Sequence, residues 1–421
     1  MISGAAPAQD RLLTRVALRV FLPFAAGYFL SYLFRSINAI ISPDLVAEFG
    51  LSAADLGLLT AVYFLAFAAF QIPVGLLLDR FGPRRTNATL LLIAGAGALV
   101  FASADGLGGL MLGRALIGLG VAAGLMSSIK VFTLWFPLPR LAAMNGWILF
   151  AGGLGALSAT APVEELLHIV DWRGVFHLAG IATFASAVAV FLIVPERETA
   201  GRHERLSQQL AGVVQVFGSP VFWRLAAAST LFQSVNLAVQ TLWAGPWLSD
   251  VAGLDRRAIA LHLLALAAAT MVGFLFWGTM AERLAKRGVS TMTVFLAGAA
   301  AFLVVQVFLV LGLTAGSIAI WLAWGFFGTS GSLAFAILSQ SFPMALTGRA
   351  NTALNLLVFL TAFVSQWIFG VVVNFWPRSG GGYRPEGFSV AFGLFFLLQL
   401  FALAWMVTQR GRRRSGTRKA A

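Results

Sequence analysis

The sequence lacks cysteine and contains few charged residues. The absence of cysteine from 421 residues excludes disulfides, thiolate metal sites and cysteine nucleophiles. The four histidines, His168, His177, His203 and His262, show no paired ligand spacing, so we expect no metal and no cofactor. Asp, Glu, Lys and Arg make up 11% of the chain, whereas an average soluble domain has about 25%. This charge content is too low for the surface of a soluble protein of this length.

Apolar residues are abundant instead, at 59% of the chain, with 44 glycines and 37 phenylalanines. Twelve apolar runs approach or exceed the roughly 20 residues that cross a bilayer. They cover residues 17–42, 54–78, 87–105, 108–134, 141–163, 175–194, 222–247, 258–281, 289–313, 316–340, 350–375 and 388–409. We therefore predict an all-α membrane protein with twelve transmembrane helices. Its predicted parts are two six-helix halves at 1–194 and 222–409, a cytoplasmic linker at 195–221 and a basic tail at 410–421.

The distribution of basic residues predicts the orientation in the membrane. An even number of spans places both termini on one side. If that side is the cytoplasm, most arginines and lysines fall in cytoplasmic segments, as the positive-inside rule requires. The outer segments then hold Arg173, Arg256, Arg257, Arg378 and Arg384. We predict a multi-pass protein of the inner (cytoplasmic) membrane, a monomer whose partners are the bilayer and a small substrate. The net charge of +13 reflects this topology, and nucleic acid is not an expected partner.

A short motif occurs twice, about half a chain apart. The segment "GLLLDRFGPRR" at 75–85 follows the second span, and "GTMAERLAKRG" at 278–288 follows the eighth. Both place an acidic residue and an arginine at the same distance after a glycine. Such an internal repeat is typical of transporters built from two similar halves.

On this motif and its placement, the chain resembles the major facilitator superfamily over nearly its whole length. The resemblance implies a secondary transporter, not an enzyme, with a central cavity and rocker-type alternating access. It implies that the two loops control the inward gate. The predicted gating residues are Gly75, Asp79, Arg80, Gly82, Arg84 and Arg85, with Gly278, Glu282 and Arg283 in the second copy. The alternative is that the three arginines of the first copy are positive-inside anchors alone.

An arginine interrupts the first apolar run, in "SYLFRSINAII". A charge in hydrocarbon costs on the order of 2.5–3.5 kcal/mol on insertion scales, so such residues usually have a function. Arg35 and Arg114 are predicted to lie at similar depths, about 10 Å and 9 Å from the outer ends of helices 1 and 4. Because the spans contain almost no carboxylate, we predict that the missing anion is the substrate. The alternative for Arg114 is a role in the fold, since "GRALIGLG" resembles a common helix-4 motif of the superfamily.

Several uncharged polar residues are predicted to shape the same pocket. Tyr32 and Asn38 share a polar stripe with Arg35, and three amides lie on one face of helix 7. The predicted set is Tyr32, Asn38, Tyr63, Gln233, Asn236, Gln240 and Gln366. The alternative is polar packing between helices.

A narrower resemblance concerns "YLFRSINAIISPDLVAEFGLS" and "FQIPVGLLLDRFGPRR". These segments are similar to the anion:cation symporter branch and to its bacterial relatives of nitrate/nitrite type. In the symporter branch a helix-1 and a helix-4 arginine engage organic anions, and Arg35 and Arg114 match them. In some members acidic residues of these two helices couple protons. This chain has Phe34 and Val121 at the corresponding positions.

The remaining candidates for proton coupling lie near the ends of spans. They are Glu164, Glu165, His177 and His262. We expect facilitated uptake or anion exchange, with proton symport dependent on one of these groups or on a protonated substrate.

The favoured function is transport of a small organic anion, a carboxylate by preference, with uptake favoured over export. One alternative is an exporter of amphiphilic compounds, which would use aromatic cavity walls without needing the arginines. The other is a membrane sensor or intramembrane enzyme without transport activity. No Ser/His/Asp cluster and no paired intramembrane carboxylates support the enzyme.

Overall fold

A computed structural model of the protein describes residues 6–197, 206–376, 378 and 382–418, which are mostly helical. The first eight helices precede the linker. They are α1 (Ala6–Ser36), α2 (Asn38–Phe49), α3 (Ala53–Ala102), α4 (Leu107–Val121), α5 (Gly124–Trp135), α6 (Leu138–Ser158), α7 (Ala161–Leu167) and α8 (Trp172–Ile193).

The remaining helices include two irregular turns, one π-helical and one 3₁₀. They are α9 (Leu206–Phe217), α10 (Pro220–Ala238), the π turn Val239–Trp243, α11 (Ala244–Asp250), α12 (Arg256–Ala285), α13 (Thr291–Val310), α14 (Ser317–Gly328), the 3₁₀ turn Thr329–Ser332, α15 (Leu333–Ser341), α16 (Met344–Val373) and α17 (Pro385–Arg418). The π turn locally widens the helix of the seventh predicted span, and the 3₁₀ turn locally narrows the helix of the tenth.

Within the described residues, eight helical segments are long and apolar enough to cross a membrane. The number rises to ten if two bent pairs count as one span each. One reason for the difference from twelve is α3, which continues through the regions where the sequence predicts two spans, 54–78 and 87–105. Gly82 lies in its kink with φ 75° and ψ 168°, in a region of backbone space that glycine adopts readily. The all-helical membrane fold is confirmed, and the count of twelve spans stays a prediction.

The chain forms two compact units. The first contains the described residues of Met1–Ile37 and Leu65–His203, and the second those of Asn38–Phe64 and Glu204–Ala421. The chain therefore leaves the first unit at the break between α1 and α2, and it returns inside α3. The predicted halves at 1–194 and 222–409 are defined by the sequence repeat and stay a prediction.

In the first unit, the glycine-rich helix α6 packs closely against α1. A Cβ atom at Gly155 would lie 2.1 Å from the Phe29 carbonyl oxygen, and one at Gly152 would lie 2.7 Å from the Tyr28 ring. Glycine is required where two helix backbones approach this closely. The seam holds Tyr28 and Tyr32 against α6 and so fixes the face of α1 that carries Arg35.

In the second unit, residues Asn38–Phe64 form a segment that we call the hairpin. It packs on α11 and α16 through glycines. A Cβ at Gly245 would lie 2.2 Å from the Ala39 carbonyl oxygen, and one at Gly370 would lie 2.3 Å from that of Ala53. Pro43 has no N–H to offer the Ala39 carbonyl, which leaves that oxygen open to the approach of Gly245.

Candidate functional site

Arg35 lies at the break in the first predicted span. The axes of Leu18–Ser36 and Asn38–Phe49 differ by 48° across this break. The guanidinium carbon of Arg35 lies 4.4 Å from the centroid of the Tyr32 ring and 5.4 Å from that of Phe67. Stacking uses the face of a guanidinium, whereas its N–H groups lie in the plane, so these contacts are compatible with anion binding at the edge. The side chain is half-buried.

Arg114 is fully buried within the first unit. Its Nη1 donates a hydrogen bond of 2.7 Å to the carbonyl oxygen of Phe34, and its guanidinium lies 5.5 Å and 6.0 Å from the rings of Phe101 and Phe176. In an uninterrupted helix the Phe34 carbonyl would pair with the N–H of Asn38. Arg114 thus binds the backbone at the break, one residue before Arg35, and its contact with substrate stays a prediction.

The three predicted amides of the seventh span, Gln233, Asn236 and Gln240, lie on α10 and the π turn and make contacts within their own unit. Gln233 Nε2 donates to the Ser229 carbonyl at 3.4 Å, and Gln240 Oε1 accepts from Thr270 Oγ1 at 3.3 Å. Asn236 packs against Gly328, where a Cβ would lie 2.3 Å from its Oδ1. These contacts tie α10 and the π turn to α12 and to the end of α14. Contacts of this kind are expected of polar packing between helices, and substrate binding by these amides stays a prediction.

The other predicted pocket residues of the second unit are buried. Asn38 Nδ2 donates to Thr60 Oγ1 at 2.8 Å, which links the two arms of the hairpin. Tyr63 stacks edge-on against Phe64. Gln366 is fully buried, and neither atom of its side-chain amide has a hydrogen-bond partner among the described residues. Buried amides normally have partners, so Gln366 is the strongest candidate among the predicted pocket residues in this unit to bind a polar group or water.

The first copy of the repeated motif makes its contacts inside the first unit. Asp79 Oδ1 accepts from Lys130 Nζ at 2.6 Å, and the same ammonium group donates to the Leu78 carbonyl at 2.8 Å. Arg85 and Arg84 approach Glu196 at 2.7 Å and 3.6 Å. Lys130 and Glu196 were not predicted as partners, because each lies far from the motif in sequence.

Other residues of the two copies are exposed or half-buried. Arg80 stacks on Phe81 at 5.2 Å, and a Cβ at Gly75 would meet nothing within 4 Å. In the second copy Glu282 pairs with Lys286 at 2.9 Å, Arg283 is exposed, and Gly278 has open space. The Lys286 ammonium lowers the pKa of the Glu282 carboxyl. The gating role of both copies stays a prediction.

The four candidates for proton coupling have different environments. Glu164 is buried at the start of α7, after the 41° bend between α6 and α7, whereas Glu165 and His177 are exposed. His262 is half-buried, with Nδ1 2.7 Å from the Ala258 carbonyl and Nε2 3.0 Å from Ser317 Oγ. Burial makes Glu164 the member of this set that is best shielded from water.

A polar network that the sequence did not predict joins the hairpin to the rest of the second unit. We call it the outer latch, and it consists of Leu51, Asp250, Arg378 and Tyr383. Arg378 Nη2 and the Tyr383 hydroxyl both donate to the Leu51 carbonyl oxygen, and Arg378 Nη2 lies 2.9 Å from the Tyr383 hydroxyl. Asp250 Oδ2 accepts from the Tyr383 N–H at 2.9 Å. Nearby, Arg256 and Asp44 form a bidentate pair at 2.8 Å and 3.0 Å.

Similar sequences carry names of anion transporters. The chain is 24% identical over 275 residues to the "Probable sulfoacetate transporter" of Cupriavidus necator, across 62% of this chain and 64% of that protein. It is 28% identical to the "Probable L-galactonate transporter" of Escherichia coli, across 45% and 41%. It is 29% identical to a nitrate/nitrite transporter of Picosynechococcus, across 45% and 34%. The chain covers less than two thirds of the length of each of these relatives.

Solved structures support the fold. A bacterial homologue of the lysosomal transporter Spinster, in an inward-facing unoccupied conformation, matches with a TM-score of 0.76 at 17% identity, over 93% of this chain and 96% of that one. The D-xylose–proton symporter matches with a TM-score of 0.73 at 17% identity, over 92% and 97%. The family model of the Major Facilitator Superfamily matches residues 24–366. The chain therefore belongs to the Major Facilitator Superfamily, a family of membrane transporters.

Proposed function

We propose that this protein carries a small organic anion, a carboxylate by preference, across the inner membrane by alternating access, with uptake favoured over export. The observation that carries the proposal is Arg35, a half-buried cation in an apolar span, held between Tyr32 and Phe67 where the helix breaks. A buried arginine suits a carboxylate because its planar fork matches the two oxygens. The sulfoacetate and galactonate names of two relatives agree with this class.

The proposed topology follows from the sequence. Twelve spans in two sets of six place both termini on the same side of the membrane, and we propose that this side is the cytoplasm. The protein works as a monomer without enzymatic activity. The arginine bias supports this orientation. Breaks inside spans, such as those at Ile37 and between α6 and α7, also fit a transporter, because irregular backbone at membrane depth usually accompanies binding or a water-filled cavity.

We propose that amide side chains of the second unit bind neutral polar groups of the substrate. Gln366 supports this assignment best, because its amide is buried without a partner among the described residues. Gln233, Asn236 and Gln240 are the further candidates, each already in contact with its own unit. An amide both donates and accepts, so this set suits hydroxyl groups on the substrate.

We propose that acidic residues of the first and fourth predicted spans do not carry protons in this protein. The positions that carry acids in some related carriers hold Phe34 and Val121, both buried and apolar. Facilitated uptake or exchange is therefore the expected mode. If protons do accompany the substrate, the buried carboxyl of Glu164 is the first residue to replace with glutamine.

Uptake of radiolabelled anions into proteoliposomes tests the site. The panel contains sulfoacetate, L-galactonate, a hexuronate and nitrate, with an uncharged sugar as reference. Arg35→Gln is expected to reduce uptake of the best anion by about a hundredfold, because a desolvated charged contact is worth several kcal/mol. Arg35→Lys should restore little, since an ammonium group lacks the planar fork.

Arg173→Gln is the matched control. Arg173 also stacks on an aromatic ring, that of Trp172 at 4.3 Å, and also binds a backbone carbonyl, that of Ala104. It lies at the start of α8, outside the proposed site, so its replacement should leave uptake nearly unchanged. Normal uptake by Arg35→Gln would overturn the anion site. Resistance of expressing cells to amphiphilic drugs, undiminished in Arg35→Gln, would instead favour the exporter.

A further inference from the structure

The ends of three helices in the second unit surround a cavity of about 390 Å³. It lies between the beginnings of α10 and α13 and the end of α15. The polar residues of its lining are Arg224, Ser290, Thr291, Gln340 and Ser341. Among the described residues that line it, none carries a carboxylate. The cavity therefore offers a positive charge and several hydrogen-bond donors, which is the chemistry that binds an anion.

Arg224 supplies the positive charge. It is half-buried on α10, and its Nε donates a hydrogen bond of 3.4 Å to the Met406 carbonyl of α17. A guanidinium carries five N–H donors in one plane, so a single group can bind protein and ligand atoms together. Arg287, three residues before Ser290 in the chain, adds positive charge near the start of α13.

The start of α13 adds backbone donors to the same cavity. Ser290 is the N-cap of this helix, and its Oγ accepts from the Thr293 N–H at 3.2 Å. The N–H groups of Thr291 and Met292 have no carbonyl one turn earlier in the helix with which to pair. Together with the positive end of the helix dipole, such groups suit phosphate oxygens. Because Arg224 lines the same cavity, the side chain and the helix end can act on one ligand.

The rest of the lining is apolar, and it indicates what the anion is attached to. Leu225, Met292 and Ile337 contribute apolar side chains. Trp223, next to Arg224, is exposed, and exposed tryptophans are enriched at the interface between membrane and water. The proposed topology places these helix ends at the cytoplasmic face. A cavity of mixed character at this level suits a phosphate group that carries a short carbon chain, such as glycerol.

We propose that this cavity binds a phosphate group, with Arg224 and the first turn of α13 on the phosphate oxygens. Two sources share this chemistry, the headgroup of an anionic phospholipid and a soluble phosphate compound of the cytoplasm. The inference goes beyond the proposed function, because the cavity belongs to the second unit and Arg35 to the first. A bound phosphate joins the ends of α10, α13 and α15, so it stabilises the folded protein by mass action.

Thermal unfolding of the full-length protein in a non-ionic detergent tests the proposal. The probes are inorganic phosphate, glycerol 3-phosphate and dihexanoyl phosphatidylglycerol, with glycerol as the uncharged reference. The shift of the melting temperature with probe concentration gives an apparent Kd. We expect Arg224→Gln to weaken binding of the best probe about tenfold or more, because it removes a charge-assisted contact. Arg140→Gln is the matched control, since it removes an exposed arginine of the first unit and should leave the Kd unchanged.

A second variant adds a charge instead of removing one. Gln340 is an exposed residue of the lining, so Gln340→Glu introduces a carboxylate with little change in size. Repulsion of the phosphate should weaken binding about tenfold or more, although Arg224 is intact. Gln215→Glu places the same charge at an exposed position of α9, outside the lining, and should leave the Kd unchanged. If Arg224→Gln does not fold, this pair of variants decides.

The probes also distinguish the two sources and the two anion sites. Tighter binding of phosphatidylglycerol than of the soluble probes assigns the cavity to a membrane lipid, and equal or weaker binding assigns it to a soluble phosphate compound. Loss of phosphate binding in Arg35→Gln, with binding intact in Arg224→Gln, would place the phosphate at the transport site and overturn the proposal. Absence of a shift with every probe, or an undiminished shift in folded Arg224→Gln or Gln340→Glu, would overturn it as well.

Discussion

At the scale of single residues, three charged side chains are wholly or partly removed from water. Arg35 stacks on two aromatic rings, Arg114 binds a backbone carbonyl, and Asp250 accepts a backbone N–H. Each uses neutral groups of the protein to offset part of the cost of leaving water. They differ in surroundings, since Arg114 is sealed in the core while Arg35 is half-buried and Asp250 lies at the end of a helix. The fully buried Arg114 suits a structural role, and the half-buried Arg35 suits the binding role that we propose for it.

The burial of Asp250 predicts a pH-dependent stability. Its pKa is raised in the folded protein, so the folded state binds a proton more tightly than the unfolded state. Stability therefore falls as the pH rises from 3.8 through the raised pKa, and the cost of burying the charge is fully present above it. Asp250→Asn removes this charge but keeps an oxygen that accepts the Tyr383 N–H. We expect this variant to melt a few degrees higher than the natural protein near neutral pH.

Thermal unfolding of the detergent-solubilised protein over a pH series measures this effect. The gain in Asp250→Asn should shrink as the pH approaches 3.8, because the natural carboxyl becomes neutral too. Asp255→Asn is a suitable control, since Asp255 is an exposed N-cap that accepts from the Ala258 N–H. It should lower the melting temperature slightly or leave it unchanged. A lower melting temperature for Asp250→Asn at neutral pH would contradict the assigned burial cost.

At the scale of helices, several predicted spans are interrupted by a break, a kink or an irregular turn. The break at Ile37 exposes the Phe34 carbonyl, which Arg114 binds, and the kink at Gly82 uses a positive φ. A π turn interrupts the seventh predicted span between α10 and α11, and a 3₁₀ turn interrupts the tenth between α14 and α15. Such irregular turns often occur at functional sites. The first predicted span therefore breaks where the Arg114 side chain binds a freed carbonyl, and α3 kinks where glycine permits a positive φ.

Arg114 provides a test at this scale. Arg114→Met keeps much of the apolar volume but leaves the Phe34 carbonyl without its 2.7 Å hydrogen bond. An unsatisfied buried acceptor costs about 1–3 kcal/mol, so we expect a clear loss of thermal stability. If Arg114 positions the helix break, uptake at saturating substrate should fall together with stability. The measurement is the melting temperature and the concentration dependence of uptake for Arg114→Met and Arg114→Lys.

The comparison with Arg35 decides between the two roles. Arg35→Gln should weaken substrate affinity with little change in melting temperature, whereas Arg114→Met should do the reverse. An Arg114→Met variant of natural stability that has lost substrate affinity would show that this arginine binds the anion directly, as the sequence predicts.

At the scale of the whole molecule, part of the organisation could be predicted from the sequence. The apolar runs, the repeated motif and the intramembrane Arg35 were enough for the family and the all-helical membrane fold, and the superfamily model confirms that family. The breaks could not be predicted, because they depend on partners distant in sequence, such as Arg114 for Phe34. The outer latch was missed for the same reason, since Asp250 and Tyr383 lie 133 residues apart and each resembles an ordinary loop residue.

The repeated motif gives the last prediction, which concerns the transport cycle. Asp79 and Lys130 form a contact of 2.6 Å within the first unit, and Lys130 also binds the Leu78 carbonyl. If this pair sets the position of the gating loop, Asp79→Asn and Lys130→Gln should each slow uptake, and the double variant should be no slower than either one. Exposed ion pairs contribute about 0.2–1 kcal/mol, so stability should change little while the uptake rate changes more. The Glu282–Lys286 pair of the second copy supplies the comparison, because it joins neighbouring turns of one exposed helix end. If the second copy also controls the gate, Glu282→Gln should slow uptake, whereas Lys286→Gln, which lies outside the predicted gating set, should leave uptake nearly unchanged. Uptake rates for the five variants in proteoliposomes test this assignment. Additive losses for Asp79→Asn and Lys130→Gln would show that the two residues act separately, and full uptake by both would leave the first copy with a topological role alone.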